Sequence, residues 1–130
     1  CRAPAERPLR GVELWDLVSA LGRVMQARFA DTPTTNIRYD ETPIRVYMRK
    51  IYERILAHQQ VEFTSVLAGA EHRSTMVGMF LAVLELTRHD WARASQPEIF
   101  GAILLTAGAT ALPDDLDHVV VYDGALRPAA

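Results

Sequence analysis

Side chains that could perform catalysis or hold a metal ion occur in this sequence, but none has the spacing that such chemistry needs. The histidines lack the close helical spacing of zinc ligands, since they stand at His58, His72, His89 and His118. The serines lack the glycine-flanked turn that exposes a nucleophile, and they include Ser19, Ser65, Ser74 and Ser95. Asp114, Asp115 and Asp117 lack the remaining ligands of a calcium loop, so we expect a solvated turn there. The sequence therefore predicts a protein that is not an enzyme and that uses no cofactor or metal.

Composition and charge restrict the class of partner. The chain has 130 residues, is 49% hydrophobic and carries a formal net charge of −2, with Lys50 as its single lysine. Because phosphate contacts come mainly from Lys and Arg, this balance favours a protein partner over direct contact with DNA. Cys1 is the single cysteine, which excludes a disulfide framework. No apolar run reaches the roughly 18 residues of a membrane span, so we expect a cytoplasmic protein without membrane contact.

Hydrophobic periodicity divides the chain into four segments. Residues 1–10 contain Pro and Arg and do not begin with Met, so we predict a disordered start and a fragment of a longer protein. Residues 11–29 have apolar side chains at helical spacing, which predicts an amphipathic helix, and a polar linker completes the segment 11–41. We assign a folded domain to residues 42–106. Residues 107–130 are interpreted as a loop-like tail with one strand at 119–122.

The first half of the folded domain shows clear start and stop signals. Thr42 can cap a helix and Pro43 suits its first position, which predicts a helix over residues 42–58. The alternation at residues 61–63 indicates a brief strand. Thr64 or Ser65 could cap a short helix that runs to Ala68 and is ended by Gly69.

A long helix and a hairpin complete the domain. The helix is predicted over residues 73–89, and the strands over residues 91–94 and 98–104, with Ser95-Gln96-Pro97 between them. The order helix, short strand, short helix, long helix, hairpin is that of a winged helix. We therefore predict a mainly α fold with a small β-hairpin, a winged helix preceded by an amphipathic helix.

The long helix carries two apolar stripes, although a small domain offers a helix only one core to face. The first stripe comprises Val77, Phe80, Leu81 and Leu84, and the second comprises Met76, Met79, Val83 and Leu86. Helix 11–29, the tail or a separate protein could cover the second stripe, or the helix could be buried on all sides by its own chain. From residue 71 to 103 the acidic residues outnumber the basic ones, which also argues against a DNA-reading helix.

The sequence of this helix resembles a family of chromosome proteins. Residues 79–86 read Met-Phe-Leu-Ala-Val-Leu-Glu-Leu, similar to the Phe-Leu-Ala-Leu-Leu-Glu-Leu run of segregation and condensation protein A, the bacterial kleisin. Gln96 and the run Phe-Gly-Ala-Ile at residues 100–103 stand where the family has a Gln and a Phe-Gly-Asp-Ile strand. Phe63 with Leu67, and Arg73 at the helix entry, extend the resemblance upstream.

The resemblance implies a scaffold role without chemistry. In the family, the C-terminal winged helix binds the ATPase head of an SMC protein, and segregation and condensation protein B binds the middle region. The implied role is a kleisin subunit of a condensin-like complex in chromosome condensation and segregation, associated with the nucleoid and touching DNA only through the complex. The candidate partner-binding residues are Met76, Met79, Val83, Glu85, Leu86 and Ile99.

Several residues have a plainer alternative role. Glu85 could contact the SMC head or pair with Arg88 on the helix surface. Phe100 and Ile103 could lie in the core or at an interface, and we favour the core for both. Ile99 should lie on the opposite face of its strand and is the better interface candidate. The edge of the hairpin could also pair with a partner strand.

Two other functions and one further association remain open at this point, whereas the missing catalytic constellation disfavours a small enzyme. A winged-helix transcription regulator would bind DNA with strong salt dependence. The domain could also be an adaptor of an unrelated complex, because fold alone does not give function. Finally, helix 11–29 could pair between two chains and form a dimer of the fragment.

Overall fold

A computed structural model describes residues 12–31 and 41–116, which fold into helices packed against a small antiparallel sheet. The helices are α1 Leu14–Phe29, α2 Ile44–His58, α3 Phe63–Ala68 and α4 Arg73–Arg88. The strands are β1 Val61–Glu62, β2 Ala92–Ser95 and β3 Leu104–Ala107. The predicted mainly helical fold with a small hairpin is confirmed. From α2 onward the element order is the one predicted for a winged helix.

Helix α1 packs on the rest of the molecule through one face and its C-terminal end. It begins where the Glu13 N–H donates to the Asp16 carboxylate, at 2.7 Å, and it buries Leu17, Ala20 and Phe29. Arg73 donates to the Phe29 carbonyl at 2.8 Å, and its guanidinium lies 5.4 Å from the centre of the Phe29 ring. These contacts hold α1 against α3 and α4.

Helix α2 supplies the largest share of the core. Its buried face consists of Ile44, Tyr47, Met48, Ile51, Tyr52 and Ile55. Pro43 was predicted at the first helical position, but it lies one residue before the helix and has extended backbone (φ −63°, ψ 148°). Its carbonyl accepts a hydrogen bond from the Val46 N–H. The helix ends at Gln59, whose φ of 69° is left-handed.

Strand β1 and helix α3 follow each other without a loop. Phe63 is fully buried, and its N–H donates to the Ile103 carbonyl at 2.8 Å, so the first helical residue also extends the sheet pairing. Helix α3 therefore begins at Phe63 and not at Thr64 or Ser65, the predicted cap positions. Gly69 ends the helix as predicted.

Helix α4 lies at the centre of the fold, packed against α2, α3, β2 and α1. It approaches Tyr47 of α2 at Gly78. A Cβ atom at this position would lie 3.1 Å from the Tyr47 ring. The glycine thus allows the two helices to pack closely, which accounts for a residue that weakens a helix interior.

The sheet has the order β1-β3-β2, and both pairings are antiparallel. Strand β2 begins one residue later than predicted and ends at Ser95. The prediction of a strand over residues 98–104 is wrong, because the second hairpin strand is Leu104–Ala107. Residues 96–103, which we call the wing, form a loop between the two strands.

The segment after β3 folds back on α2. Leu112 and Leu116 are buried, and Arg49 donates to the carbonyls of Pro113 and Asp114 at 2.6 and 2.9 Å. The strand predicted at residues 119–122 lies outside the described residues. In the part of the chain that the structure describes, no helix is both long and apolar enough to cross a membrane.

Candidate interaction surface

The second stripe of α4 faces the interior of the chain. Met76, Val83 and Leu86 are fully buried. A partner was one of the predicted covers for this stripe, but the chain itself covers these three residues. A partner cannot touch these three side chains while the fold is intact. Met79 is half-buried against the core and remains accessible.

The first stripe of α4, predicted to face the core, is only partly covered. Phe80 is buried and packs against Phe63, with ring centroids 6.2 Å apart. Val77 is 40% exposed, and Leu81 and Leu84 are half-buried. The roles of the two stripes are thus largely exchanged, since Met76, Val83 and Leu86 are fully buried while Val77 is exposed. Periodicity alone cannot rank two apolar faces.

Glu85 is a buried carboxylate whose partners lie on its own helix and the turn that follows. It accepts from Arg88 at 2.9 and 3.1 Å, and His89 Nε2 lies 3.3 Å from Glu85 Oε2. Burial raises the pKa of the Glu85 carboxyl, but the hydrogen bonds and charge of Arg88 and His89 outweigh it, so the pKa lies below its ordinary value. The alternative pairing with Arg88 is therefore the observed one, and it leaves little of the carboxylate exposed.

The remaining basic residues of this region are also engaged within the chain. Arg93 pairs with Asp90 at 3.0 Å, and Arg73 holds the end of α1. Because these side chains already have partners, the long helix and hairpin present little free positive charge to a phosphate backbone.

The wing displays the most exposed large apolar side chains of the described residues. Ile99 is 83% exposed and Phe100 is 98% exposed. The Gly101 N–H donates to the Glu98 carbonyl at 2.8 Å, and the Gln96 side-chain amide donates to the Gly101 carbonyl at 2.9 Å, so a closed turn presents both side chains. Ile103, by contrast, is buried as predicted.

The prediction that Phe100 belongs to the core is wrong. Strand alternation would have put it on the inner face, but the residue lies in a turn with φ of 63°. Ile99 is exposed because it sits at the tip of this turn, and not because of strand alternation. The Phe-Gly step at residues 100–101 was a signal for a turn, since glycine often follows a tight change of chain direction.

A second exposed apolar area lies on α1, the helix that the sequence suggested could pair between two chains. Leu14, Trp15 and Val18 are exposed, Trp15 by 71%. Beside them, a groove of about 480 Å³ runs between α1, α4 and β2, with an apolar lining that includes Leu14, Leu17 and Leu84. A second groove of about 590 Å³ lies between α1 and the wing, with a mixed lining that includes Asp16, Arg23 and Ile99.

Metal-binding side chains do not cluster among the described residues. No group of three or more His, Cys, Asp or Glu side chains among residues 12–31 and 41–116 is placed to hold a metal ion. The features that stand out within these ranges are apolar and exposed, which suits association with a protein surface.

Comparison with known proteins gives three similar relatives, each named segregation and condensation protein A. The chain is 27% identical over 97 residues to the protein of Macrococcus caseolyticus, 26% identical over 105 residues to that of Brevibacillus brevis, and 30% identical over 96 residues to that of Bacillus cytotoxicus. These matches cover 75%, 81% and 73% of this chain. No protein-family model matches the chain, and no solved structure matches it significantly.

The chain spans about 40% of the length of these relatives (41%, 41% and 39%), in their C-terminal region. The similarity thus includes most of the described elements and extends well beyond the short run at residues 79–86. The resemblance to segregation and condensation protein A that the residues themselves predicted is therefore confirmed.

Proposed function

We propose that this chain acts as the C-terminal winged helix of a bacterial kleisin, a non-enzymatic subunit that docks on the ATPase head of an SMC protein. The observation that carries the proposal is the 26–30% identity to three proteins named segregation and condensation protein A over about three quarters of the chain. The names of these relatives associate them with chromosome segregation and condensation. The protein would thus organise chromosomes at the nucleoid, with ATP hydrolysed by the SMC head.

The wing and α1 support this role as candidate contact surfaces. Ile99 projects from the wing, and Met79 is the one α4 candidate with an accessible apolar side chain. The buried candidates Met76, Val83 and Leu86 would support α4 from within and would not touch the head.

Two further associations belong to the same proposal. In the family that the sequence resembles, segregation and condensation protein B binds the middle region, so we propose that it joins the complex through chain outside this winged helix. A dimer through the exposed side of α1 is also proposed, because Leu14, Trp15 and Val18 leave an apolar strip open on that helix.

Direct recognition of DNA, as in a transcription regulator, has weaker support. Arg88 and Arg93 are paired with Glu85 and Asp90. Such pairs would have to break before the arginines could neutralise phosphates, which lowers the gain from binding.

The proposal is tested by calorimetric titration of the chain with the purified ATPase head of the SMC protein from the same organism. We expect saturable one-to-one binding, and no binding to duplex DNA in low salt. Ile99→Asp should weaken head binding, whereas Leu56→Asp, which changes a 55% exposed leucine on α2, should not. A folded chain that ignores the head, or that binds DNA tightly and salt-sensitively, would refute the proposal.

A further inference from the structure

The wing holds Phe100 in an arrangement that the fold itself does not need. Its side chain is 98% exposed, so it contributes almost nothing to burial in the described structure. Exposed single apolar residues are ordinary, but here Ile99 stands beside it at 83% exposure. The two form a continuous apolar tip that water must cover.

The backbone at Phe100 is also unfavourable for its residue type. Its φ of 63° lies in the left-handed region, where the Cβ of a bulky residue comes too close to the carbonyl oxygen. Glycine or asparagine would adopt this conformation at lower cost. Unfavourable backbone conformations of this kind concentrate at binding sites, where the side chain contacts a ligand or partner.

The tip is nevertheless held in one shape. The turn from Glu98 to Gly101 is closed by a 2.8 Å backbone hydrogen bond, and Gln96 braces it with a 2.9 Å bond to the Gly101 carbonyl. Because the turn is already ordered, an aromatic side chain on it loses little conformational entropy when it enters a pocket. This preorganisation favours binding.

Charge around the tip indicates which kind of partner fits it. Residues 95–103 contain Glu98 and no Lys or Arg. On the other side of the adjoining groove, α1 contributes Asp16 and Arg23. An anionic lipid surface or a nucleic acid would be repelled by the carboxylate at the tip and would find no cation within the wing itself.

We propose that Phe100 is the anchor of the wing, an aromatic side chain that enters an apolar pocket with a cationic rim on a protein partner. This inference rests on the proposed function, in which that partner is the SMC ATPase head. The pocket would take the phenyl ring with Ile99 against its edge, and its cationic rim would face Glu98. Aromatic residues of this kind carry a large part of the binding energy at protein interfaces.

The test compares Phe100→Gly and Phe100→Asn with the unchanged chain in titrations against the ATPase head. Both variants should bind at least about tenfold more weakly, as expected when an aromatic anchor is truncated. Both should keep or raise the thermal unfolding midpoint, because both residues tolerate the left-handed conformation. Phe100→Tyr keeps the ring but adds a hydroxyl to an apolar pocket, so it should bind more weakly than the unchanged chain and more tightly than Phe100→Gly. Leu56→Ser, which changes an exposed leucine on α2, should bind as the unchanged chain does.

The outcomes distinguish failure of the Phe100 anchor from failure of the proposed function. If the unchanged chain binds the head and Phe100→Gly binds equally well, the anchor is refuted while the proposed function stands. If the unchanged chain does not bind the head, both are refuted. If the chain instead binds duplex DNA or phosphatidylserine vesicles, and Phe100→Gly removes that binding, the protein pocket is the wrong assignment.

Discussion

Gly108 is the residue at which a single added methyl group should disturb the hairpin most. Its N–H donates to the Trp91 carbonyl at 3.0 Å, and the Thr110 N–H donates to the Asp90 carbonyl at 3.1 Å, so the chain after β3 is tied to the turn before β2. A Cβ atom at residue 108 would lie 2.0 Å from the Asp90 carbonyl oxygen and 2.5 Å from its carbonyl carbon. Both are backbone atoms, which cannot rotate away as a side chain could.

The expected cost of Gly108→Ala follows from this geometry. Forcing an extra methyl group into a packed site costs about 1–3 kcal/mol. Separating the two segments would also weaken the two backbone hydrogen bonds, each of which contributes about 0.5–1.5 kcal/mol. We expect a loss of about 2–4 kcal/mol in the free energy of unfolding, which corresponds to a midpoint lower by roughly 10 °C for a domain of this size.

Urea and thermal unfolding followed by circular dichroism measure this loss, with Gly22→Ala as the matched control. A Cβ atom at Gly22 would meet nothing within 4 Å. Since Gly22 lies in α1, this second substitution should stabilise the protein by up to about 1 kcal/mol. The reasoning is refuted if Gly108→Ala unfolds within about 0.5 kcal/mol of the unchanged chain.

Three further predictions, tested with four substitutions, concern residues of α4. Met76→Ala should lower the free energy of unfolding by about 2–5 kcal/mol, because the side chain is fully buried. Val77→Ala should lower it far less, because Val77 is 40% exposed. Equal losses in urea titrations would contradict the assignment of the core face. Glu85→Gln should make the unfolding midpoint less dependent on pH in the acid range. The lowered pKa of Glu85 means that the carboxylate stabilises the fold fully above the ordinary value of 4.5, and that this stabilisation is lost as pH falls through the lower pKa of the folded protein. The two proteins should thus converge in unfolding midpoint at the acid end of a pH series, and a constant difference would argue against the pairing with Arg88. Arg73→Met should loosen the end of α1 by about 1–2 kcal/mol through loss of a charged hydrogen bond, seen as faster amide hydrogen exchange in α1 and unchanged exchange in α2.

The helices were predictable from the sequence because their signals are local. Gly69 ends α3 at the predicted residue, and the apolar spacing of α2 and α4 places both helices to within two residues of the observed bounds. The observed helix boundaries differ from the predicted ones where a tertiary contact determines them. Phe63 enters α3 early because its N–H pairs with the Ile103 carbonyl across the sheet.

The surface was less predictable because it depends on which of two apolar faces meets the core. The α4 stripe with Met76 and Val83 was open to cover by a partner or by the chain itself, and the described chain buries it. Phe100 was misassigned because alternation was extended through a segment that forms a turn. Apolar content cannot distinguish a buried strand from an exposed loop tip, and only the register of β2 with β3 does so.

The order of strands in the sheet also bears on how the molecule assembles. Strand β3 lies between β1 and β2, yet its two pairings differ greatly in the length of chain that they enclose. Ser95 pairs with Leu104 across the wing alone, whereas Val61 pairs with Leu105 across α3, α4 and β2. Closing a short loop costs less entropy and takes less time than closing a long one. The hairpin that carries Phe100 can thus form early from nearby residues, while β1 must wait until the helices between it and β3 have come together.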